Sequence, residues 1–335
     1  MSNKFSFLIV TFLVSSLLFS CTQKSKTRKP RSIGNTSEIL VVIQNENQWD
    51  DTIGITIKNN FGKDQYGLNQ SEPLFKVSHV LKNSFSDLLR KHHNLFVVNI
   101  DRNAEKPVLE HQDDFWAAPQ SIYKLTASSE DEFVKIFNNN AEIFIESYQQ
   151  TDRERILELF RTQQNGDAVA QVKKSTGIEM VIPNGFYVAK DIKNFVWIRK
   201  EQVDMSQAVI IISADYQDTA QFSKASILSR TKTALKNNIP GAVYNSYMSI
   251  DEEFIPPMAK NISNFPLGYA IEISGTWVVE NDFMGGPFKS YTFFDDKSNK
   301  IITMMAYVYK PSERKRDLLK QVEALIYSIK IPKQD

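Results

Sequence analysis

The sequence predicts two domains of different class: an α/β domain, followed by an α+β domain in which helices flank an antiparallel meander sheet. Between residues 37 and 165, apolar runs typical of strands alternate with helical periodicity, which favours helices packed on a sheet. Across residues 166–335, strand-like runs follow one another closely and a helical pattern closes the chain. The length of 335 residues also suits two domains.

In the N-terminal domain, short apolar runs predict strands, and apolar spacing and capping patterns predict helices between them. The predicted strands are 38–43, 74–77, 95–100 and 121–125. Apolar residues at every fourth position across 49–61 predict one helix. A serine or threonine followed three residues later by an acid predicts helix starts at Ser84, Ser129 and Thr151. The polar stretch 162–167 is the expected hinge between the domains.

In the C-terminal domain, the predicted strands outnumber the helices. The strands are 178–182, 186–189, 195–199, 208–213, 268–279, 288–294 and 301–309. One helix is expected after Ser223 and a closing helix after Ser312, each with apolar residues at helical spacing. Turn-forming residues at 285–287 and 295–299 connect the last three strands, which predicts an antiparallel meander.

The N-terminus has the length and order of a secretory signal. Lys4 precedes the 15-residue apolar stretch 5–19, which is too short for a transmembrane helix of about 20 residues. A leucine stands three positions before Cys21 and Ser20 directly precedes it, a pattern that resembles the lipobox of bacterial lipoproteins. The resemblance implies removal of residues 1–20, attachment of diacylglycerol to Cys21, and acylation of the new amine, for instance by palmitate. Two or more acyl chains would hold the protein on a membrane almost permanently.

The segment after the lipobox predicts how the protein is attached to a membrane and on which side of it. Residues 21–36 are expected to form a flexible basic tether, because five cations precede the first large apolar residue, Ile33. Neither an aspartate nor an acidic run follows Cys21, so the resemblance to lipoproteins implies the periplasmic face of the outer membrane as the location.

The net charge of the whole chain is only +1, which excludes the basic field that non-specific nucleic-acid binding needs.

The sequence predicts no metal site, cofactor or catalytic nucleophile. Cys21 is the only cysteine, and the four histidines, His79, His92, His93 and His111, lack metal-ligand spacing. They are interpreted as cations at helix C-termini, where the helix dipole favours positive charge. Phosphate-binding loops, dinucleotide fingerprints and the G-x-S-x-G elbow are also absent from the sequence.

Six short motifs carry a resemblance to a known family. They lie at 116–120, 195–201, 246–248, 277–288, 307–311 and 321–328, and the most specific is W-x-V-E-x-D-F-M-G-G-P-F at 277–288. Together they resemble a family of Bacteroidota lipoproteins, number 4837 among the domains of unknown function, from about residue 38 to 330. The resemblance implies an envelope lipoprotein without assigned activity or catalytic residues. The C-terminal half more loosely resembles the PsbP-type α+β fold, through element order and the I-P-N-G-F opening at 182–186.

A group of aromatic, charged and glycine residues in the C-terminal domain is the candidate contact surface. It comprises Trp197, Arg199, Tyr247, Trp277, Glu280, Asp282, Met284, Gly285 and Gly286, with Phe288 beside them. Trp, Tyr, Met and Arg are enriched at the centres of interfaces, which favours a surface role for these positions. The sequence therefore favours a non-catalytic binding or assembly module that holds an envelope protein or a glycan.

Two other functions remain open. If Glu280 and Asp282 share a strand face, their carboxylates would lie about 5–7 Å apart, which suits an enzyme acting on a glycan or peptidoglycan. A carrier of a small apolar ligand would instead need a cavity on the order of several hundred Å³ between the sheet and its helices.

Overall fold

Two β-sheets, each with helices packed on it, make up the computed structural model, which describes residues 29–331. The first sheet has five strands and the second has eight within this range. The predicted classes are confirmed, because the N-terminal region mixes helices with a mostly parallel sheet and the C-terminal region is an antiparallel sheet flanked by helices. Among the helices of residues 29–331, none is both long enough and apolar enough to span a membrane.

The first sheet is parallel except at one edge. Its strands are β1 (Glu38–Ile43), β2 (Lys76–Leu81), β3 (Asn94–Ile100), β4 (Val108–Asp113) and β5 (Ser121–Ala127), in the order β2-β1-β3-β5-β4. Only β4 runs antiparallel to its neighbour, β5. The helices of this region are α1 (Asn47–Asp50), α2 (Thr52–Phe61) and α3 (Glu130–Arg161). α2 and α3 bury Phe61, Phe137 and Tyr148 against one face of the sheet, as their helical apolar spacing predicts.

The second sheet is antiparallel throughout. Its strands are β6 (Tyr187–Ile192), β7 (Phe195–Gln202), β8 (Met205–Asp215), β9 (Tyr247–Ile250), β10 (Met258–Phe265), β11 (Gly268–Glu280), β12 (Gly285–Asp295) and β13 (Lys300–Tyr309). The order is β10-β11-β12-β13-β8-β7-β6, and β9 pairs with β11 beyond the end of β10. Helices α4 (Gly166–Thr176) and α6 (Arg316–Tyr327) cover one face, and α5 (Lys224–Asn238) covers the other. Ser223 caps α5, as predicted, by accepting the Ser226 N–H (3.3 Å).

Two predicted helix starts in the N-terminal region are wrong. α3 runs without a break through Thr151, whose hydroxyl donates to the carbonyl oxygen of Ser147 (3.1 Å), so the capping pattern there lies inside a helix. The helix predicted from Ser84 is replaced by two short 3₁₀ turns within 82–91. These turns place Phe85 against the outer face of the first sheet, where it packs on a small cluster of buried apolar residues.

Other differences concern segments whose pairing depends on distant residues. Residues 178–182 pack beneath α6 and form one bridge, between Glu179 and Lys330, instead of a strand ladder. α4, β4, β9 and β10 are further elements that the sequence patterns do not predict. Every residue of β4 is exposed, so this strand lacks the apolar alternation on which the prediction depended.

Residues 29–36 are bound to the first sheet, which corrects the predicted flexible tether 21–36. Within this segment the Ser32 N–H donates to the carbonyl oxygen of Ala118 (3.1 Å), and residue 33 forms a second bridge to the segment before β3. Any free tether therefore ends before residue 29. Cys21 and the signal segment lie outside the described residues.

Buried charges join the two sheets where α3 packs against α6. Asp152 of α3 lies 3.0 Å from His93 Nε2 and 3.1 Å from Lys320 Nζ, and it accepts the Ser37 N–H (3.0 Å). Burial alone would raise the pKa of Asp152, but Lys320 and His93 outweigh it and hold that pKa well below its usual value. Asp152 is therefore ionised in the folded protein. Its carboxylate contacts His93 of the N-terminal region and Lys320 of the C-terminal region.

A second group of buried charges continues this contact. Arg153 of α3 lies 3.9 Å from the Glu323 carboxylate of α6, and Lys289 of β12 lies 3.1 Å from the same carboxylate. Tyr291 donates a hydrogen bond to it (2.7 Å). Burial would lower the pKa of Lys289, but Glu272 and Glu323 raise it above its usual value. Each buried charge in this group thus has an opposite charge beside it, which fixes α6 against α3.

Lys320→Met is expected to lower the free energy of unfolding by about 3 kcal/mol or more, because Asp152 then keeps its buried charge without its main cation. Combining it with Asp152→Asn should cost less than the sum of the single changes, since both charges are then removed. Urea denaturation measures both losses. The matched control is Lys63→Met, because Lys63 pairs with Glu142 (2.7 Å) on the surface, where a pair contributes about 0–1 kcal/mol. Equal losses for the two methionine variants would contradict the importance of the buried network.

His92 is a buried histidine whose charge state is linked to folding. Its ring stacks on that of His93, with centroids 4.7 Å apart, and its Nδ1 lies 3.0 Å from the carbonyl oxygen of Asn94. Burial, and after it the neighbouring His93, lower the pKa of His92 to about 4. A histidine of the unfolded chain has a pKa of about 6.5. Between these two values only the unfolded chain binds the proton.

Stability is therefore expected to fall as the pH falls from about 6.5 to about 4, because the unfolded state binds more protons in this window. The contribution of His92 is at most about 3 kcal/mol, the free-energy equivalent of its lowered pKa. Urea denaturation at several pH values measures the slope. His92→Gln removes the titrating ring and should reduce the slope of unfolding free energy against pH. Identical slopes for the wild-type protein and the variant would show that His92 does not cause this pH dependence.

Candidate ligand-binding site

A cavity of about 410 Å³ lies on the face of the second sheet that also carries α5. Its floor comes from β7, β11 and β13, and its sides come from the β7–β8 turn, the segment after α5, and Met284. Most of the lining side chains are aromatic or aliphatic, and Arg199 and Glu201 are its charged members. Sites for small molecules occupy about 300–1,000 Å³ and have this mixture of apolar walls and few polar groups.

Gly286 shapes the floor of the cavity because it carries no side chain. This residue of β12 pairs with Trp277 of β11, and a Cβ at position 286 would lie 2.2 Å from the carbonyl oxygen of Val308. The Trp277 ring instead reaches across β12, and its Nε1 donates to the same Val308 oxygen (3.1 Å). The buried indole thereby keeps a hydrogen bond while its ring lines the cavity.

Tyr307 and Trp197 extend this aromatic floor toward β7. The rings of Trp277 and Tyr307 meet edge to face, with centroids 5.1 Å apart, and Trp197 Nε1 donates to the Tyr307 hydroxyl (3.1 Å). Burial raises the pKa of Tyr307 to about 12, so its hydroxyl is neutral at physiological pH. The floor is thus an uncharged, hydrogen-bonded aromatic surface that suits an apolar ligand.

One ion pair lies in the cavity wall. Alternate residues of a strand share a face, which places Arg199 and Glu201 on the same side of β7 as Trp197. The Arg199 guanidinium carbon lies 4.5 Å from the centre of the Trp197 ring, and its Nη2 pairs with the Glu201 carboxylate. The wall therefore combines one cation, held by an aromatic ring, with one anion.

Three loops that border the cavity carry exposed apolar side chains. They are Val203 in the β7–β8 turn, Tyr244 in the loop after α5, and Phe283 in the β11–β12 turn. Val203 itself lines the cavity, and the other two lie within two residues of a lining residue. The Asn281 side chain joins the second and third loops by donating to the carbonyl oxygen of Asn245 (3.2 Å).

The cavity brings together four of the nine residues of the candidate surface. These are Trp197, Arg199, Trp277 and Met284. Gly285 and Gly286 lie beside them as paired residues of β12, which corrects the predicted turn at 285–287. Phe288 is buried in the core next to the cavity.

Tyr247, Glu280 and Asp282 do not line the cavity. Tyr247 borders a separate, shallow depression together with Lys236, whose Nζ lies 4.7 Å from the centre of the tyrosine ring. β11 ends at Glu280, and Asp282 lies in the following turn, where its carboxylate accepts the Phe283 N–H (2.7 Å). The two carboxylates therefore do not share a strand face, as the paired-carboxylate hypothesis requires.

Other lining residues were missed by the sequence analysis. Tyr307 and Tyr309 stand two positions apart and share a face of β13, so their alternation was a usable signal for an aromatic surface. Met248 gave no such signal. Its place in the wall depends on the pairing of the short strand β9 with β11, which no local pattern predicts.

The histidines form no metal centre in the part of the chain that the structure describes. Across residues 29–331, no three or more His, Cys, Asp and Glu side chains are grouped so as to hold a metal ion. The interpretation of the histidines as helix C-terminal cations is wrong for His79 and His111, which lie in β2 and β4. It is also wrong for His92, because its pKa of about 4 leaves the ring uncharged at neutral pH. His79 instead pairs with Glu46 (2.9 Å), and His111 with Asp113 (3.2 Å).

A smaller cavity of about 130 Å³ lies at the contact between the two sheets. Its walls include Arg153, Lys289 and Glu323, whose charges already pair with one another. The cavity of about 410 Å³ is the better candidate, because most of its lining side chains are apolar and only two of them are charged.

Gly286→Ala is expected to lower the free energy of unfolding by about 1–3 kcal/mol, because the added methyl group must displace the Val308 backbone or the Trp277 ring. Urea denaturation measures the loss, and tryptophan fluorescence should shift to longer wavelength as Trp277 leaves its buried position. The control is Gly166→Ala at the start of α4, where a Cβ meets no atom within 4 Å. A neutral effect of Gly286→Ala would contradict the close crossing of Trp277 over β12.

Comparison with known proteins adds family relations but no established activity. Residues 32–161 match the family described as "Domain of unknown function (DUF8532)". No curated protein matches the chain. Among solved structures, the chain is similar to LpqN of Mycobacterium tuberculosis, which is described as involved in cell envelope biogenesis. The sequence identity is 11% and the TM-score is 0.26, and the match covers 44% of this chain and 79% of LpqN. The motif at 116–120 falls in the match at residues 32–161, which corrects the expected extent of about 38–330 for the numbered family that the motifs resemble. Residues 165–328, which contain the cavity, match that family, described as "Domain of unknown function (DUF4837)", so the resemblance is confirmed for this range.

Proposed function

We propose that this protein is a lipid-anchored binding protein of the cell envelope that holds a small, largely apolar ligand in the cavity on its second sheet. One observation carries the proposal: the cavity of about 410 Å³ has a neutral aromatic floor and opens beside exposed apolar side chains. Burial of apolar surface is the main favourable contribution in such sites, and the few polar groups orient the ligand.

The proposed location is the periplasmic face of the outer membrane. It is supported by the sequence alone: a secretory signal, a lipobox that ends at Cys21, and the lack of an acidic sorting pattern after it. We also propose a Bacteroidota origin, on the basis of the family resemblance, and a PsbP-type fold for the C-terminal half, on the basis of its element order.

A Cys21→Ser variant should be uncut and unlipidated, and mass spectrometry of the membrane fraction detects both changes. A native protein without attached acyl chains would contradict the anchor.

Binding explains the geometry better than catalysis does. The enzyme hypothesis needs Glu280 and Asp282 in one concave site, but both lie at the exposed β11–β12 turn, and Asp282 is engaged by the backbone of that turn. Among the charged lining residues, Arg199 and Glu201 form an ion pair instead of a pair of carboxylates. This arrangement suits recognition of a ligand rather than general acid–base chemistry on a glycan.

An envelope protein or glycan is the second candidate partner, and the exposed Phe283 favours it. The strand residues of the 277–288 hairpin are mostly buried or half-buried, so a partner would contact the turn rather than the strands. Photo-crosslinking from position 283 in intact cells tests this contact, with position 254, another exposed phenylalanine, as the control. Equal crosslinking from both positions would contradict a specific contact.

Ala242→Trp should block the cavity, because Ala242 lines it from an exposed loop and a large ring there fills space without disturbing the core. The probe is N-phenyl-1-naphthylamine, an uncharged aromatic molecule whose fluorescence rises in apolar sites. We expect Ala242→Trp to weaken its binding by about tenfold or more, which corresponds to about 1.4 kcal/mol. The control is Ala170→Trp on α4, another exposed alanine that does not line the cavity. Unchanged probe binding in Ala242→Trp would contradict the proposed site.

A further inference from the structure

We propose that the ligand is an anionic amphiphile, whose charged group replaces Glu201 on Arg199 while its apolar part lies on the aromatic floor. This inference rests on the proposed function and adds the chemical class of the ligand. It follows from three features of the cavity: the unequal exposure of the two charges, the unsatisfied donor of Arg199, and the apolar side chains at the cavity edge.

The cation of the wall is fixed, whereas its anionic partner is not. The Arg199 side chain is 19% exposed and stacks on Trp197, but the Glu201 side chain is 50% exposed. Stacking on an aromatic face stabilises a guanidinium in place. An ion pair with one solvated member is weak, because water screens the attraction and the exposed side chain loses entropy when it is held. Glu201 can therefore turn toward solvent at low cost, while Arg199 stays in the wall.

Arg199 also has hydrogen-bonding capacity that Glu201 does not use. Its Nε is buried and has no hydrogen-bond acceptor within the described part of the chain. A guanidinium presents its donors as a rigid fork that matches a carboxylate, sulfate or phosphate group through two parallel hydrogen bonds. An anionic group that replaces Glu201 on Arg199 would thus also satisfy the Nε donor, which remains unpaired beside Glu201. This second hydrogen bond gives the ligand an advantage over the side chain it displaces.

The edge of the cavity fits the other half of an amphiphile. Val203, Tyr244 and Phe283 are exposed on the three bordering loops, and the last two loops are hydrogen-bonded to each other. Exposed apolar side chains next to an apolar cavity lower the cost of moving a hydrocarbon chain out of a membrane or micelle. With Arg199 as the cation of the wall, the site selects for negative rather than positive head groups.

Displacement of N-phenyl-1-naphthylamine by three compounds with the same ten-carbon chain tests this inference. Decanoate is anionic, decanol is uncharged, and decyltrimethylammonium is cationic. We expect decanoate to displace the probe from the wild-type protein at the lowest concentration, by about tenfold relative to the other two. Glu201→Gln should strengthen decanoate binding about threefold or more, because it removes the competing carboxylate, and should leave decanol unchanged.

Arg199→Gln should weaken decanoate binding about tenfold without affecting the binding of decanol. Arg199→Lys should recover part of this loss, because lysine keeps the positive charge but lacks the forked donors of the guanidinium. The control is Glu252→Gln, which removes a carboxylate from the exposed pair with Lys232 and should change nothing. Equal displacement by the three compounds, or Glu201→Gln acting on decanol as strongly as on decanoate, would overturn the anionic ligand and leave the proposed cavity intact. Failure of the probe to bind the wild-type protein would overturn both.

Discussion

The crossing of Trp277 over Gly286 is the constraint on which the cavity depends. Any side chain at position 286 would occupy the space through which the indole reaches the Val308 carbonyl oxygen on the next strand but one. Because the crossing satisfies the only polar atom of the ring, a large aromatic surface can be buried without leaving an unpaired donor. Tyr307 packs on that surface and accepts the hydrogen bond from Trp197, so three strands contribute to one continuous floor.

The contact between the two sheets leaves this floor free. Asp152 and Arg153 of α3 meet Lys320 and Glu323 of α6, and α6 lies on the face of the second sheet opposite to the cavity. A buried ion pair adds little net stability compared with apolar packing, but it strongly disfavours separation, because each charge would lose its partner. The N-terminal region therefore packs behind the second sheet and contributes no residue to the lining of the cavity.

Local patterns predicted the parts of the fold that local physics determines. The strand at 38–43, the α5 cap at Ser223 and the long strands of the meander follow from apolar runs and turn residues, and they were predicted within a few residues. The single long helix α3 was divided in two, because the threonine at position 151 imitates an N-cap. Strands such as β4 and β9 escaped prediction, since their pairing is set by distant partners rather than by their own sequence.

In the candidate site, too, local patterns predict some residues, whereas others depend on tertiary packing. Trp197 and Arg199 lie two positions apart on one strand, so their shared face was predictable, and their residue types already suggested a contact surface. Glu201 continues that alternation but was not recognised. The buried charges of α3 and α6 were also missed, because alternating charges on an amphipathic helix normally indicate a solvated face. Only the tertiary structure shows that these two polar faces pack against each other.

Native mass spectrometry of the full-length protein purified from its own membranes tests the central claim most directly. A small-molecule binding protein should carry one or a few added masses that are released on denaturation, and the Ala242→Trp variant purified in the same way should lack them. An unliganded native protein, or equal added masses on both proteins, would contradict a ligand-binding role for the cavity.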